Sequence, residues 1–114
     1  MNESILDHHM DAFGRGDVDA IVEDFTEEST IIVPKSVVTG LDNIRKHFRN
    51  LIQNIFTKGT EYELVEKVVE GDIAYLIWKA ESDRYKIPFG TDTFIFEDGK
   101  IKVQTVAFIL EEKK

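Results

Sequence analysis

Two side chains stand out as able to do acid–base chemistry, because each sits in an apolar pattern. Residues 3–14, ESILDHHMDAFG, read as a helix. At about 100° per residue, Ile5, Leu6, His9, Ala12 and Phe13 fall in one arc of roughly 120°. Asp7, His8 and Asp11 fall outside it, and His9 lies near the middle. Further on, Asp92 alternates in register with Phe94 and Phe96, while Thr91, Thr93 and Ile95 take the opposite face. Desolvation raises the pKa of a carboxylate among phenylalanines, unless a cation such as a charged His9 pairs with it. A neutral imidazole beside a carboxylate can act as a general base. The same residue types also fit a buried His–Asp hydrogen bond that only orients a helix on a sheet. A lone histidine on an apolar arc equally fits a satisfied core or interface residue.

The other reactive types carry weaker patterns. His8 and His9 point about 100° apart and share no ligand face, so no metal site is expected. His47, beside Arg45, Lys46 and Arg49, reads as solvated. No nucleophile elbow surrounds any serine. Gly14-Arg15-Gly16 reads as a helix stop, not a phosphate loop. Glu23, Asp24, Glu27 and Glu28 read as a solvated helix end. Tyr75, Trp78, Phe89 and Phe94 fit a cavity lining, a core or a dimer face. Tyr75 and Trp78 fall on opposite faces of their strand, so both cannot enter one pocket.

These side chains need elements to hold them. Asp17 can cap a short second helix carrying Val18, Ile21, Val22 and Phe25. Thr30 to Val33 is a short β-branched strand closed by Pro34, and Val37 to Thr39 a second one. Leu41 to Phe56 is the clearest helix, with Ile44, Phe48, Leu51, Ile52, Ile55 and Phe56 at helical spacing. Four β-rich runs follow, at about 60–70, 73–83, 86–97 and 100–110. Asp98-Gly99 predicts a type I′ hairpin between the last two. On the return strand Ile101, Val103, Thr105, Ala107 and Ile109 share one face. Val106, Phe108 and Leu110 share the other, with Lys102 and Gln104 nearer the turn. Ile73 to Ala80 is apolar on both faces and reads as a central strand. Helices followed by an antiparallel meander make an α+β layout.

Composition narrows the function classes. The 114 residues suit one domain spanning 1–114 with one real core. A net charge of −8 disfavours nucleic acid and anionic membrane surfaces as partners. No apolar run nears the roughly 20 residues of a membrane span. The start of the chain has no basic region followed by an apolar one, so no signal peptide is expected. Zero cysteines exclude disulfides and thiolate chemistry and fit a cytoplasmic location.

The stretch AFGRGDVDAIVEDFTEESTIIVP, then VTGLDNIRKHF, then GTDTFIFEDGKIKVQTVAF resembles the nuclear transport factor 2-like superfamily. It is most similar to the SnoaL-like and ketosteroid-isomerase-like members. The matching features are the Gly-Asp start of helix two, its acidic end, a strand ending in Pro, the Gly before helix three and the last hairpin. The resemblance implies a cone: a strongly curved mixed or antiparallel sheet wrapped by three helices, with a pocket at the wide end. It also implies a homodimer through the outer sheet face. Ketosteroid isomerases use an Asp base with a Tyr and a protonated Asp as oxyanion hole. Aligned on Gly16-Asp17, the Tyr position falls on His9, the base on Val33 and the oxyanion Asp on Asp92. A valine cannot abstract a proton, so a standard ketosteroid isomerase is not expected.

The site expected from this is His9 and Asp92 as catalytic groups, with Phe13, Val33, Phe48, Trp78 and Phe94 lining a pocket for a small, largely apolar molecule. No metal or other cofactor is called for. Two readings stand. One is an isomerase-, cyclase- or hydratase-type enzyme of unspecified substrate. The other is a non-catalytic binding or dimerisation module whose pocket is filled by its own aromatics.

Overall fold

A computed structural model describes residues 2–114. Helix α1 spans Asn2–Arg15 and buries Leu6, His9 and Ala12. Gly16, at φ +70°, ends it. The Gly16 amide bonds the Phe13 carbonyl and the Asp17 amide bonds the Ala12 carbonyl, the paired bonds of a Schellman stop. Asp17 then caps α2, Val18–Val22, accepting from the Ala20 amide at 3.1 Å.

Strands β1 (Thr30–Val33) and β2 (Ser36–Thr39) form a hairpin, and α3 runs Leu41–Asn54. Gly40 precedes α3 with φ +87° and brings no side-chain cap. The Glu27 carboxylate serves instead, accepting from the Leu41 amide at 2.6 Å. Glu27 is therefore not simply a solvated helix end. Helix α3 stops two residues short of the predicted Phe56. The Ile55 and Phe56 amides both bond the Leu51 carbonyl, and Phe56 turns inward.

Strands β3 (Glu61–Glu70), β4 (Ile73–Glu81), β5 (Tyr85–Glu97) and β6 (Lys100–Glu112) make the antiparallel meander. The order is β2-β1-β6-β5-β4-β3, with β1 parallel to β6, so the sheet is mixed and β4 lies inside it. Asp98 and Gly99 both take positive φ, as a type I′ turn requires. The fold is α+β: a curved, unclosed six-stranded sheet with the helices in the N-terminal half. Register shifts at Leu64/Glu66, Trp78/Ala80, Lys86/Phe89 and Ile95/Phe96 bend it.

One of those shifts overturns a facing assignment. Ile95 pairs with Val103, but Phe96 pairs with Ile101. The extra residue in β6 turns Ile101 to the inner face, where it is fully buried, while Val103 stays on the outer face. Gln104 then shares the inner face with Ile101, Val106 and Phe108.

The interior holds two apolar clusters. The larger joins Leu6, Ile31, Ile44, Phe48, Phe94, Phe96 and Ile101 among others. The smaller is Phe56, Ala80 and Ile87. Phe13, Leu51 and Trp78 touch both. Among the described residues no helix is long and apolar enough to cross a membrane.

Candidate functional site

The gap between the two clusters is a cavity of about 300 Å³. Helices α1 and α3 form one side, with His9, Met10, Phe13, Phe48 and Leu51. Strands β4, β5 and β6 form the other, with Leu76, Trp78, Asp92, Phe94, Gln104, Val106 and Phe108. The exposed wall residues are Gly14 on α1 and Tyr62, Glu63 and Leu64 on β3. They put the opening between that helix and the edge strand.

Asp92 sits on the inner face of β5, between Leu76 on β4 and Val106 on β6. Only 8% of it is exposed. Its Oδ1 accepts from Trp78 Nε1 at 2.8 Å and its Oδ2 from Gln104 Nε2 at 2.8 Å. Burial pushes its pKa up to about 6, and the two hydrogen bonds restrain the rise. The carboxylate is therefore mostly ionised at pH 7, within reach of protonation.

Trp78 reaches Asp92 because residue 90 is glycine. Gly90 pairs with Trp78 across β4 and β5, and a Cβ there would lie 2.5 Å from the indole. The ring lies flat against that backbone. A glycine inside a strand marks such close approaches.

His9 is 4% exposed and ringed by Phe25, Phe48 and Phe94 at centroid distances of 5.8, 5.8 and 5.3 Å, all edge-to-face. Burial, then the like charge of His8, lowers its pKa to about 4. The imidazole is neutral at pH 7. Its Nδ1 has no hydrogen-bond partner among the described residues. Among the described residues no hydrogen bond joins His9 to Asp92, whose oxygens are instead held by Trp78 and Gln104. The two residues share the cavity wall without pairing.

Of the other expected lining residues, Phe13, Phe48, Trp78 and Phe94 are in the wall. Val33 is not. The wall ends at β6, and Val33 lies on β1 beyond it, packed against the larger cluster. Phe89 is also outside, on the outer face and 46% exposed, because the Lys86/Phe89 shift brings Ile87 inward instead. Tyr75 and Trp78 do take opposite faces: Trp78 is in the wall and Tyr75 is not.

Two polar groups thought solvated are partly buried. His47 lies against Phe48 at the cavity wall, where burial lowers its pKa. Asp24 is buried and its carboxylate accepts from His8 Nδ1 at 2.7 Å; desolvation raises its pKa. Tyr62 is exposed on one side of the rim but packs its ring against Phe13 and Phe56, and that partial burial pushes its pKa up to about 12, so it stays a neutral phenol.

Gln104, Gly90, Leu76 and Phe108 escaped the sequence reading. The inner-face assignment of Gln104 needs the bulge before it. Gly90 carried a signal, a glycine in an alternating strand opposite the lone tryptophan. Among the described residues no three His, Cys, Asp or Glu side chains converge to hold a metal ion.

The comparisons with known proteins bear on this geometry. A sequence model of the SnoaL-like domain matches residues 6–104. The chain belongs to the SnoaL-like domain family. No curated protein matches this SnoaL-like chain. Solved structures share its nuclear transport factor 2-like fold. A nuclear transport factor 2-like protein of unknown function from Cytophaga hutchinsonii superposes with TM-score 0.78 at 16% identity, covering 96% of this chain and 90% of that one. A putative ketosteroid isomerase from Kribbella flavida gives 0.79 at 10% identity, covering 99% and 81%. SalBIII, an epoxide hydrolase/cyclase-like enzyme of pyran ring formation in the polyether salinomycin, gives 0.75 at 26% identity, covering 95% and 90%.

Proposed function

We propose that this SnoaL-like domain binds a small, largely apolar molecule between its helices and sheet, and moves a proton on it with Asp92 as the base. One observation carries the reading. A buried carboxylate, held by Trp78 and Gln104 and pushed up to about 6, faces a largely apolar cavity of about 300 Å³. A general base works best with its pKa near the working pH. His9 supplies a neutral imidazole on the opposite wall. Val33 can accept no proton, so the standard ketosteroid isomerase arrangement is set aside. The reaction class is isomerisation, cyclisation or hydration, in keeping with the names of the Kribbella protein and SalBIII. The alternative of a pocket closed by its own aromatics loses ground to the open cavity. The absence of cysteine supports a cytoplasmic location.

A second copy of the chain covers the outer sheet face in this reading. Ile73, Ile95 and Val103 form one cross-strand row there, Tyr75, Thr93, Thr105 and Ile32 the next, and Ile77, Thr91 and Ala107 a third. None is charged, and Ile73 is 52% exposed. Such a contiguous uncharged face marks an interface. Light scattering should find a dimer that Thr93→Arg converts to monomer; a wild-type monomer would rule this out.

The catalytic part is tested without knowing the substrate. 5-Nitrobenzisoxazole is a compact apolar probe whose ring opens, with N–O cleavage, once a base removes its ring C–H proton. The protein should accelerate that opening, with a rate rising through about pH 6. Asp92→Asn should lose about 10²-fold or more. An Asp92→Asn variant as fast as wild type would remove Asp92 from the role of base.

A further inference from the structure

The polar end of the cavity is short of donors. The Trp78 N–H is committed to Asp92, and so is one N–H of Gln104. Gln104 is 2% exposed, and its Oε1 has no hydrogen-bond partner among the described residues. The amide cannot turn over to relieve this, because Oε1 would then face the ionised carboxylate. Its orientation is fixed by Asp92, with the acceptor left unsatisfied. His9 Nδ1 is also buried without a partner and donates or accepts according to the imidazole tautomer, while Glu63 adds an acceptor at the mouth. Among the described residues no Lys or Arg lines the cavity. A buried acceptor costs its full desolvation unless something donates to it.

We propose that the cavity selects neutral, mostly apolar ligands that present a hydrogen-bond donor, a hydroxyl or an un-ionised N–H, and that Gln104 Oε1 sets this preference together with the Asp92 carboxylate. Acceptor-only ligands such as ethers leave Gln104 unsatisfied. Anionic ligands meet two acidic side chains and no counter-charge. The cavity has room for roughly ten water-sized groups, which suits a bicyclic ring. This inference rests on the cavity being the ligand site, and the test separates the two.

Matched probes titrated calorimetrically into the intact protein decide it. 2-Naphthol is compared with 2-methoxynaphthalene, indole with 1-methylindole, and 2-naphthoate serves as the anion. 2-Naphthol and indole should each bind on the order of tenfold tighter than their methylated partners, with no detectable naphthoate binding. A hydroxyl-only advantage would narrow the class to alcohols and phenols, and an N–H-only advantage to amines and heterocycles; either supports the donor rule. Gln104→Met should shrink the difference within each pair, with Asp92 left as the remaining acceptor, and the wild-type panel stands even if that variant fails to fold. Methylated probes binding as tightly as their donors would overturn the donor preference while leaving the ligand site in place. No binding by any neutral probe would overturn both.

Discussion

The two interior clusters are built from similar side chains yet differ in what surrounds them. The larger is covered everywhere except along the cavity: α1, α2, α3, β1 and the turn-proximal ends of β4, β5 and β6 converge on it, and Leu6, Ile31, Ile44, Phe94 and Ile101 are fully buried. The smaller has three buried members and borrows Phe13, Leu51 and Trp78 from the first. The same inner face of β5 runs through both, from Phe96 and Phe94 past Asp92 and Gly90 to Ile87. Packing is tight where α2 and β1 add their contacts, and loosens further along the same three strands, at Asp92 and Trp78. The acid–base groups lie where it loosens. The lesson is that the site is a seam between a core and its plug, and polar groups survive there because the packing leaves them space.

The largest effects should separate the clusters. Phe96→Ala in the larger core should cost about 3–5 kcal/mol in urea unfolding. Phe56→Ala in the plug should cost less, below about 3 kcal/mol, because its ring already borders the cavity and its loss enlarges an existing space rather than opening a new one. Equal losses would break the distinction between core and plug.

The seam should show opposite pH dependences. Asp92 is raised from 3.8 to about 6 in the folded chain, so between those values the native state holds a proton that the unfolded state has lost. Stability relative to Asp92→Asn should therefore fall by about 2 kcal/mol as pH rises from 4 to 6. His9 is lowered from 6.5 to about 4, so the unfolded state binds the extra proton. Stability relative to His9→Phe should instead rise by about 3 kcal/mol between pH 4 and 6.5. In the wild type the two trends largely cancel, and only the variants reveal them. Slopes of the same sign in both comparisons would mean that one of the groups is not buried as described.

Gly90→Ala sharpens the geometry of the seam. The added methyl must displace the Trp78 indole, at about 1–3 kcal/mol. The fluorescence of this single tryptophan should shift as its bond to Asp92 is strained; an unchanged spectrum and stability would contradict the contact. The smallest effect belongs at the surface of α1. His8→Ala removes a half-exposed partner of Asp24 and should cost about 1 kcal/mol or less, measured by thermal unfolding. Adjacent histidines thus carry unequal weight, because 100° of helix separates solvent from core.

Much of the fold was legible in local pattern. Helical spacing located α1 and α3, Asp17 announced α2, and Asp98-Gly99 fixed the last hairpin, because each signal depends on residues within one turn or one strand. The facing of Asp92, Phe94 and Phe96 followed from strict alternation. Ile101, Gln104 and Phe89 were misjudged or passed over because a single extra residue at a bulge reverses facing from that point on. The partners of His8 and the capping by Glu27 were hidden for a related reason: both join residues 14 to 16 positions apart, on different elements.

The sequence by itself determined the elements, their order, the SnoaL-like resemblance and the two reactive side chains on apolar faces. Only the tertiary structure decided that Asp92 bonds Trp78 and Gln104 while His9 stands alone among phenylalanines. Periodicity says which face a side chain takes, and that is a property of one element. Which atoms meet across a cavity depends on where bulges shift several strands and where two clusters fail to close, and no single stretch of the chain encodes that.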